Sequence, residues 1–209
     1  MGINLQKGQK IDLSKGGAGG AGMSRVLVGL GWDEAQQTAK GWRALFAAKP
    51  QDIDCDASVI LCGANGKLLS GTANDTCVYF NNTSMYGGAI RHSGDDLTGG
   101  SSQDGDDEMI LVDLDRIPAN VEKMAFVVNI YDANVRKQHF GLVQNAYIRV
   151  VDRDSNNEVC RFNLSDNYDG MTGLVAGEIY RSGREWKFNA IGQPVREASR
   201  LSRLLDLYK

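Results

Sequence analysis

The stretch AYIRVVDRDSNNEVCRFNL, residues 146–164, decides the fold. On either side of the turn RDSNN, apolar and β-branched residues alternate with polar ones, which is the pattern of an antiparallel hairpin. Residues 174–188, LVAGEIYRSGREWKF, repeat it across Ser182-Gly183. Shorter runs of the same composition lie upstream: Val26–Trp32, the ASVILC run before Gly63, Thr76–Phe80, the MILVDL run ending at Leu114, and KMAFVVNIYD at 123–132. Asn65-Gly66 has the chemistry of a hairpin turn before KLLS, and INLQKGQKIDL at 3–13 reads as a short hairpin about a glycine. Roughly ten short strands with few helices predict an all-β chain. The expected architecture is a β-sandwich of two mostly antiparallel sheets with a few short helices.

Two segments have helical composition. Residues 34–49, ending before Pro50, can place Trp42, Leu45 and Phe46 on one face. After Pro194, VREASRLSRLLDLYK carries an apolar stripe of Leu201, Leu204, Leu205 and Tyr208, with Ala198 one turn earlier. The expected organisation is a sandwich domain over 1–193 and a C-terminal amphipathic helix over 194–209 packed on it, with the Trp42 patch as a candidate receiver. The competing reading is that this basic helix docks on a partner or an anionic membrane.

Composition excludes several classes. The 23 Lys and Arg nearly balance 26 Asp and Glu, a net charge of −3, so no global field favours nucleic acid. There is no apolar run of the roughly 20 residues that a bilayer span needs, and the N-terminus lacks the apolar core of a signal peptide. Cys55, Cys62, Cys77 and Cys160 form no CxxC and no Cys/His cluster. They read as reduced, mostly buried thiols of a cytoplasmic protein. Gly17, Gly19 and Gly22 match G-x-G-x-x-G, but a strand-like segment follows where a dinucleotide fingerprint opens a helix, so the match is rejected. No nucleophile motif is present and catalysis is not expected. His92 reads as a lone surface histidine, and His139 as a packing or capping residue.

The acidity is local. Residues 90–114, IRHSGDDLTGGSSQDGDDEMILVDL, hold Asp95, Asp96, Asp104, Asp106, Asp107 and Glu108 among glycines, with no lysine or arginine between Arg91 and Arg116. Carboxylates this dense must be hydrated or neutralised by a cation. The same run reads equally as a solvated loop. Asp33, Asp54, Asp56 and Asp132 also sit at strand ends, and Asp54 and Asp56, as alternate residues, point the same way in an extended chain. Calcium takes 6–8 oxygens of this kind, and loops gathered at one end of a sandwich can deliver them.

These residues carry a resemblance. VLVGLGWD (26–33), Asp54-x-Asp56-Ala57-Ser58, FNN (80–82), HSGDDLTG (92–99), GDDE (105–108), IYDA (130–133), FGLVQNAYIRVV (140–151) and GEIYRSGREWKF (177–188) occur in the order found in the TerD family of tellurium-resistance and general-stress proteins, which this sequence strongly resembles. The resemblance implies a β-sandwich that binds two calcium ions through the acidic loops, with no established catalytic activity. Its ligand set is Asp54, Asp56, Asp95, Asp96, Asp106, Asp107 and Glu108, with Asp33, Asn82 and Asp132 as additional candidates. It further implies a bacterial cytoplasmic stress protein within a larger resistance complex, at or near the inner membrane surface, with its oligomeric state open. The competing functional classes are an enzyme or redox protein acting on tellurium oxyanions and a small-ligand, nucleotide-type binder. The chain departs from the family in Asp96 where GDN is usual, in Cys55, in a longer 34–51 segment and in the basic C-terminus.

Overall fold

The computed structural model describes residues 2–14, 22–34, 53–93, 105–164 and 166–209. Within them thirteen strands form two sheets. In chain order these are β1 (Ile3–Leu5), β2 (Lys10–Asp12), β3 (Arg25–Glu34), β4 (Cys55–Cys62), β5 (Cys77–Val78), β6 (Ser84–Met85) and β7 (Ile90–His92). They continue with β8 (Glu108–Asp113), β9 (Lys123–Ile130), β10 (Val143–Asp152), β11 (Asn157–Asn163), β12 (Gly173–Ser182) and β13 (Glu185–Val195). The first sheet runs β1-β11-β10-β3-β8-β7-β6 and the second β2-β13-β12-β9-β4-β5. Every named pairing is antiparallel except β1 with β11. The all-β sandwich and both long hairpins, β10–β11 and β12–β13, are as the sequence predicts.

Alternation sets which side chains face inward. Val26, Val28 and Leu30 of β3, Ile110 and Val112 of β8, and Ile148 and Val150 of β10 meet Ala57, Val59 and Leu61 of β4 and Met124, Phe126 and Val128 of β9 between the sheets. Strands β4 and β9 are buried along almost their whole length. Their runs lack a polar period because the outer face of their sheet is covered too. There Ile60, Cys62, Cys77, Ala125, Val127 and Val175 pack under Ala198, Leu204 and Leu205.

Three expectations are corrected. Residues 3–13 are not a hairpin: β1 joins β11 in one sheet and β2 joins β13 in the other, so the glycine turn carries the chain across the sandwich. Local alternation marks a strand but is silent about its partner. The C-terminal helix is short, Leu201–Leu205 followed by a 3-10 turn over Asp206–Tyr208. Strand β13 runs to Val195 and Glu197 is left-handed (φ 57°), so the backbone cannot be helical from 195. Thr76 belongs to a four-residue helix, Ala73–Thr76, while the Asn65-Gly66 turn does bring KLLS back antiparallel on β4, bridged at Leu68 to Cys62. The helix expected over 34–49 falls almost wholly outside the described residues. No helix among the described residues is long and apolar enough to cross a membrane.

Candidate functional site

The ends of β3, β7 and β9 and the beginnings of β4, β8 and β10 lie at one end of the sandwich, as the pairings Leu30–Glu108, Glu34–Val143 and Ile130–Cys55 require. His92 ties the two sheets together there. Its Nε2 is 3.0 Å from the Ala57 carbonyl of β4 and 3.0 Å from Glu108 Oε2 of β8. The Ala57 carbonyl can only accept, so Nε2 carries the proton. The His92 and Glu108 side chains are each only 1 % exposed, and the surface position expected for His92 is therefore corrected. The inward parity of Ile90, Ile110 and Val112 was the available signal, since His92 and Glu108 share it.

Three consecutive acids at this end point three ways. Glu108 faces inward to His92. Asp107 turns to β3, where its Oδ2 accepts the Trp32 N–H at 2.6 Å. Asp106 folds over the outer face of the first sheet with its side chain fully buried. Arg149 donates to it through Nε and a terminal nitrogen, both at 2.8 Å, and the Tyr147 hydroxyl lies 2.8 Å from its Oδ1. Arg149 also reaches Glu158 at 3.4 Å, which Arg161 holds at 2.7 Å, and Arg161 lies over the Tyr147 ring. Burial raises the Tyr147 pKa, and the bond to Asp106 adds to it. Gly29 and Gly31 make the arrangement possible. A Cβ on Gly29 would overlap the Asp106 carboxylate, and one on Gly31 would come within 2.5 Å of the Tyr147 ring.

The remaining candidates separate into groups. Asp33, at the end of β3, is exposed and accepts from Asn145 Nδ2 at 2.8 Å. Asp54, Asp56 and Asp132 belong to the second sheet. Asp54 pairs with Arg136 at 3.3 Å, Asp56 accepts from Asn129 at 3.1 Å, and left-handed Asp132 meets Arg200 at 3.2 Å. Asp56 opens on a cavity of about 230 Å³ bounded by Ser58, Tyr79, Asn129, Tyr131 and Arg200. The Asn82 side-chain amide nitrogen donates to the Asn74 and Cys77 carbonyls at 3.0 and 2.7 Å. Asp95 and Asp96 lie outside the described residues. Their connection leaves after Ser93 and returns at Gly105, beside Asp107 and Glu108. Among the described residues no three His, Cys, Asp or Glu side chains are grouped to hold one ion.

The donors at this end are hard carboxylate and amide oxygens, the set that suits calcium or magnesium rather than a transition metal. The residues fit such an ion in part. Asp106, fully buried against a guanidinium, and Glu108, buried against His92, answer structural needs, whereas Asp33 and Asp107 flank the acidic connection. All four cysteines are buried free thiols. Burial pushes Cys62 and Cys77 up to about 11 and Cys160 up to about 12.

Comparison with known proteins agrees with this architecture. The family model for the TerD domain matches residues 1–208. The stress response protein SCP2 of Bacillus subtilis (strain 168) is 47 % identical over 208 residues, covering 100 % of both chains. The tellurium resistance protein TerD of Serratia marcescens is 39 % identical over 193 residues, covering 92 % of this chain and 91 % of that one. The crystal structure of a homologue of telluride resistance protein (TerD) from Streptomyces coelicolor A3(2) superposes with a TM-score of 0.59 at 22 % identity, over 84 % of this chain and 92 % of that one, a likeness of fold. Matched by its family model from end to end, the chain belongs to the TerD domain family.

Proposed function

We propose that the chain is a stress-response protein of the tellurite-resistance type that binds calcium at the acidic end of its sandwich. In this reading it acts without catalysis, as a binding or scaffold component of a cytoplasmic resistance complex. The role rests on full-length likeness to relatives named for stress response and tellurium resistance. The calcium reading rests on one observation. The connection carrying Asp95, Asp96 and Asp104 leaves after Ser93 and returns at Gly105, at the end of the sandwich where Asp33 is exposed and Asp107 accepts the Trp32 N–H. Asp33, Asp107, Asp95 and Asp96 are the residues that would hold the ions, with Glu108 left to His92. Asp106 is left to Arg149, while Asp54, Asp56 and Asp132 form a separate group on the second sheet. A bound divalent ion would neutralise carboxylates that otherwise repel one another.

The test is thermal melting with excess calcium and with chelator. An ion held only by the native loops, at about 100 times its dissociation constant, adds about 2.7 kcal/mol, or roughly 5–10 °C for a chain of this size. Superimposable curves overturn the reading. Asp107→Asn should lower the stoichiometry found by calorimetric titration. The redox alternative has less support, because buried thiols of raised pKa are poor nucleophiles. The small-ligand alternative is favoured by the cavity beside Asp56, whose wall combines a carboxylate, the Arg200 guanidinium, the Ser58, Asn129 and Ser202 polar groups and aromatic rings.

A further inference from the structure

On the outer face of the first sheet, toward the start of β3, four arginines from four separate segments line one cavity of about 260 Å³. Arg25 begins β3, Arg91 lies in β7, Arg116 ends the 3-10 turn after β8, and Arg153 follows β10. Strand β3 runs from here to the acidic end. Its eight steps from Arg25 to Asp33 cover about 26 Å, more than three Debye lengths at physiological salt. Arg91 lies nearer the acids, its partner Leu111 standing three residues along β8 from Glu108, so the separation is greatest at Arg25 and Arg153.

Pairing brings the four together. Arg25 stands opposite Asp113 in the β3–β8 register, Arg91 opposite Leu111 in the β7–β8 register, and the Arg153 N–H donates to the Arg25 carbonyl at 3.0 Å. All the outward positions here share one parity, because Val26, Ile90 and Val112 take the inward one. Two of the arginines are oriented by acids. Arg25 is bonded to Asp154, and Arg116 faces Asp113 at 3.6 Å while donating to the Gly87 carbonyl at 2.9 Å. Arg91 and Arg153 have no salt bridge among the described residues. The cavity wall contains one carboxylate, Asp113, against four guanidinium groups. In a chain of net charge −3, a concave surface of this sign is not a by-product of composition.

We propose that this cavity is a binding site for a phosphate-type dianion, gripped by Arg91 and Arg153 and flanked by Arg25 and Arg116. Guanidinium forks match the paired oxygens of phosphate and offer several parallel N–H donors. Arg25 and Arg116, already fixed by Asp154 and Asp113, need little further ordering when the anion arrives. The ligand is inorganic phosphate or a phosphomonoester group on a larger molecule, including a lipid headgroup. The site goes beyond the calcium reading and shares none of its residues.

The test is calorimetric titration of the full chain with inorganic phosphate, with chelator present so that failure of the calcium reading leaves the result unaffected. Saturable one-to-one binding is expected. It should weaken roughly tenfold or more in each of Arg91→Ala and Arg153→Ala, since each removes charged hydrogen bonds. Arg153→Lys should recover part of the loss, as an ammonium keeps the charge but not the fork. The variants lie at the surface, and unchanged melting curves establish that they fold. Sedimentation with phosphatidylcholine vesicles carrying phosphatidic acid separates the sources. Vesicle binding lost in the Arg91→Ala, Arg153→Ala double variant assigns a lipid phosphomonoester, and phosphate binding without vesicle binding assigns a soluble one. No saturable phosphate binding, equal binding of chloride at matched ionic strength, or unchanged affinity in the double variant overturns the proposal.

Discussion

Asp106 lies where a side chain on Gly29 would have to be, and Arg149 holds it there with two hydrogen bonds of 2.8 Å. The glycine, the acid and the arginine are one device, assembled from β3, the start of β8 and β10. Gly29→Ala should push the carboxylate off its arginine and cost about 2–4 kcal/mol, combining overpacking with disruption of a buried ion pair. Asp106→Asn should cost about 2–3 kcal/mol, below the full penalty for a buried unpaired charge because Glu158 also faces Arg149. Urea unfolding measures both. Calorimetry on Asp106→Asn then separates structure from metal binding: stoichiometry should stay unchanged, and loss of an ion would return Asp106 to the ligand set.

A second prediction concerns the bridge between the sheets. His92→Ala removes the imidazole that faces Glu108 and the Ala57 carbonyl, and leaves a hole at a position only 7 % exposed. The expected cost is about 2–4 kcal/mol. Urea unfolding at neutral pH checks it. A change within about 0.5 kcal/mol, as at ordinary surface positions, would mean that the imidazole is not holding the sheets together.

Much of the fold is legible locally. Runs such as VVNI and SVIL announce strands, and RDSNN and Ser182-Gly183 announce hairpins, because the turn and both strands are contiguous. What escapes local reading is pairing at a distance. Nothing within residues 3–13 says that β1 and β2 belong to different sheets. Nor does the DDE triplet reveal that Arg149, forty-three residues away, takes its first acid. The acidic end was legible as a density of carboxylates near strand ends, but parity along β8, and not density, decides which of them face inward. The arginine cavity was invisible for the same reason. Its four members are scattered from 25 to 153, and only the register of four strands gathers them.

The thiols give a pH-dependent prediction. With Cys62 and Cys77 raised to about 11 and Cys160 to about 12 by burial, the folded chain keeps protons that the unfolded chain releases near 8.5. Their contribution to stability is complete below about pH 8.5 and declines as pH rises from there toward the folded values. Urea midpoints should therefore fall between pH 8 and 10.5, and replacing these three cysteines with alanine should flatten that slope. At pH 8 a thiol reagent should label the folded protein only as fast as it opens. Immediate labelling of two or more thiols without denaturant would contradict their burial.

The carboxyl-terminal segment supports the final prediction. It is fastened along its length: the Ala198 N–H donates to Thr172 Oγ1 at 2.8 Å, Arg200 meets Asp132 at 3.2 Å, and the Tyr208 carbonyl accepts the Leu68 N–H at 2.8 Å. Between these points Leu204 is fully buried on Ile60, Val127 and their neighbours. A five-residue helix has no stability of its own in water, so the sheet holds the helix, and the helix in turn covers the sheet. Leu204→Ala should cost about 2–4 kcal/mol, the range for a buried leucine that leaves a cavity. Deleting residues 196–209 should lower the melting temperature further, because it strips the apolar outer face of β4 and β9 as well. Vesicle association, if the arginine cavity supplies it, should survive the Leu204→Ala change intact. A docking element would give the reverse pattern, with melting unchanged by Leu204→Ala and association lost on deletion, and that result would detach the helix from its own domain.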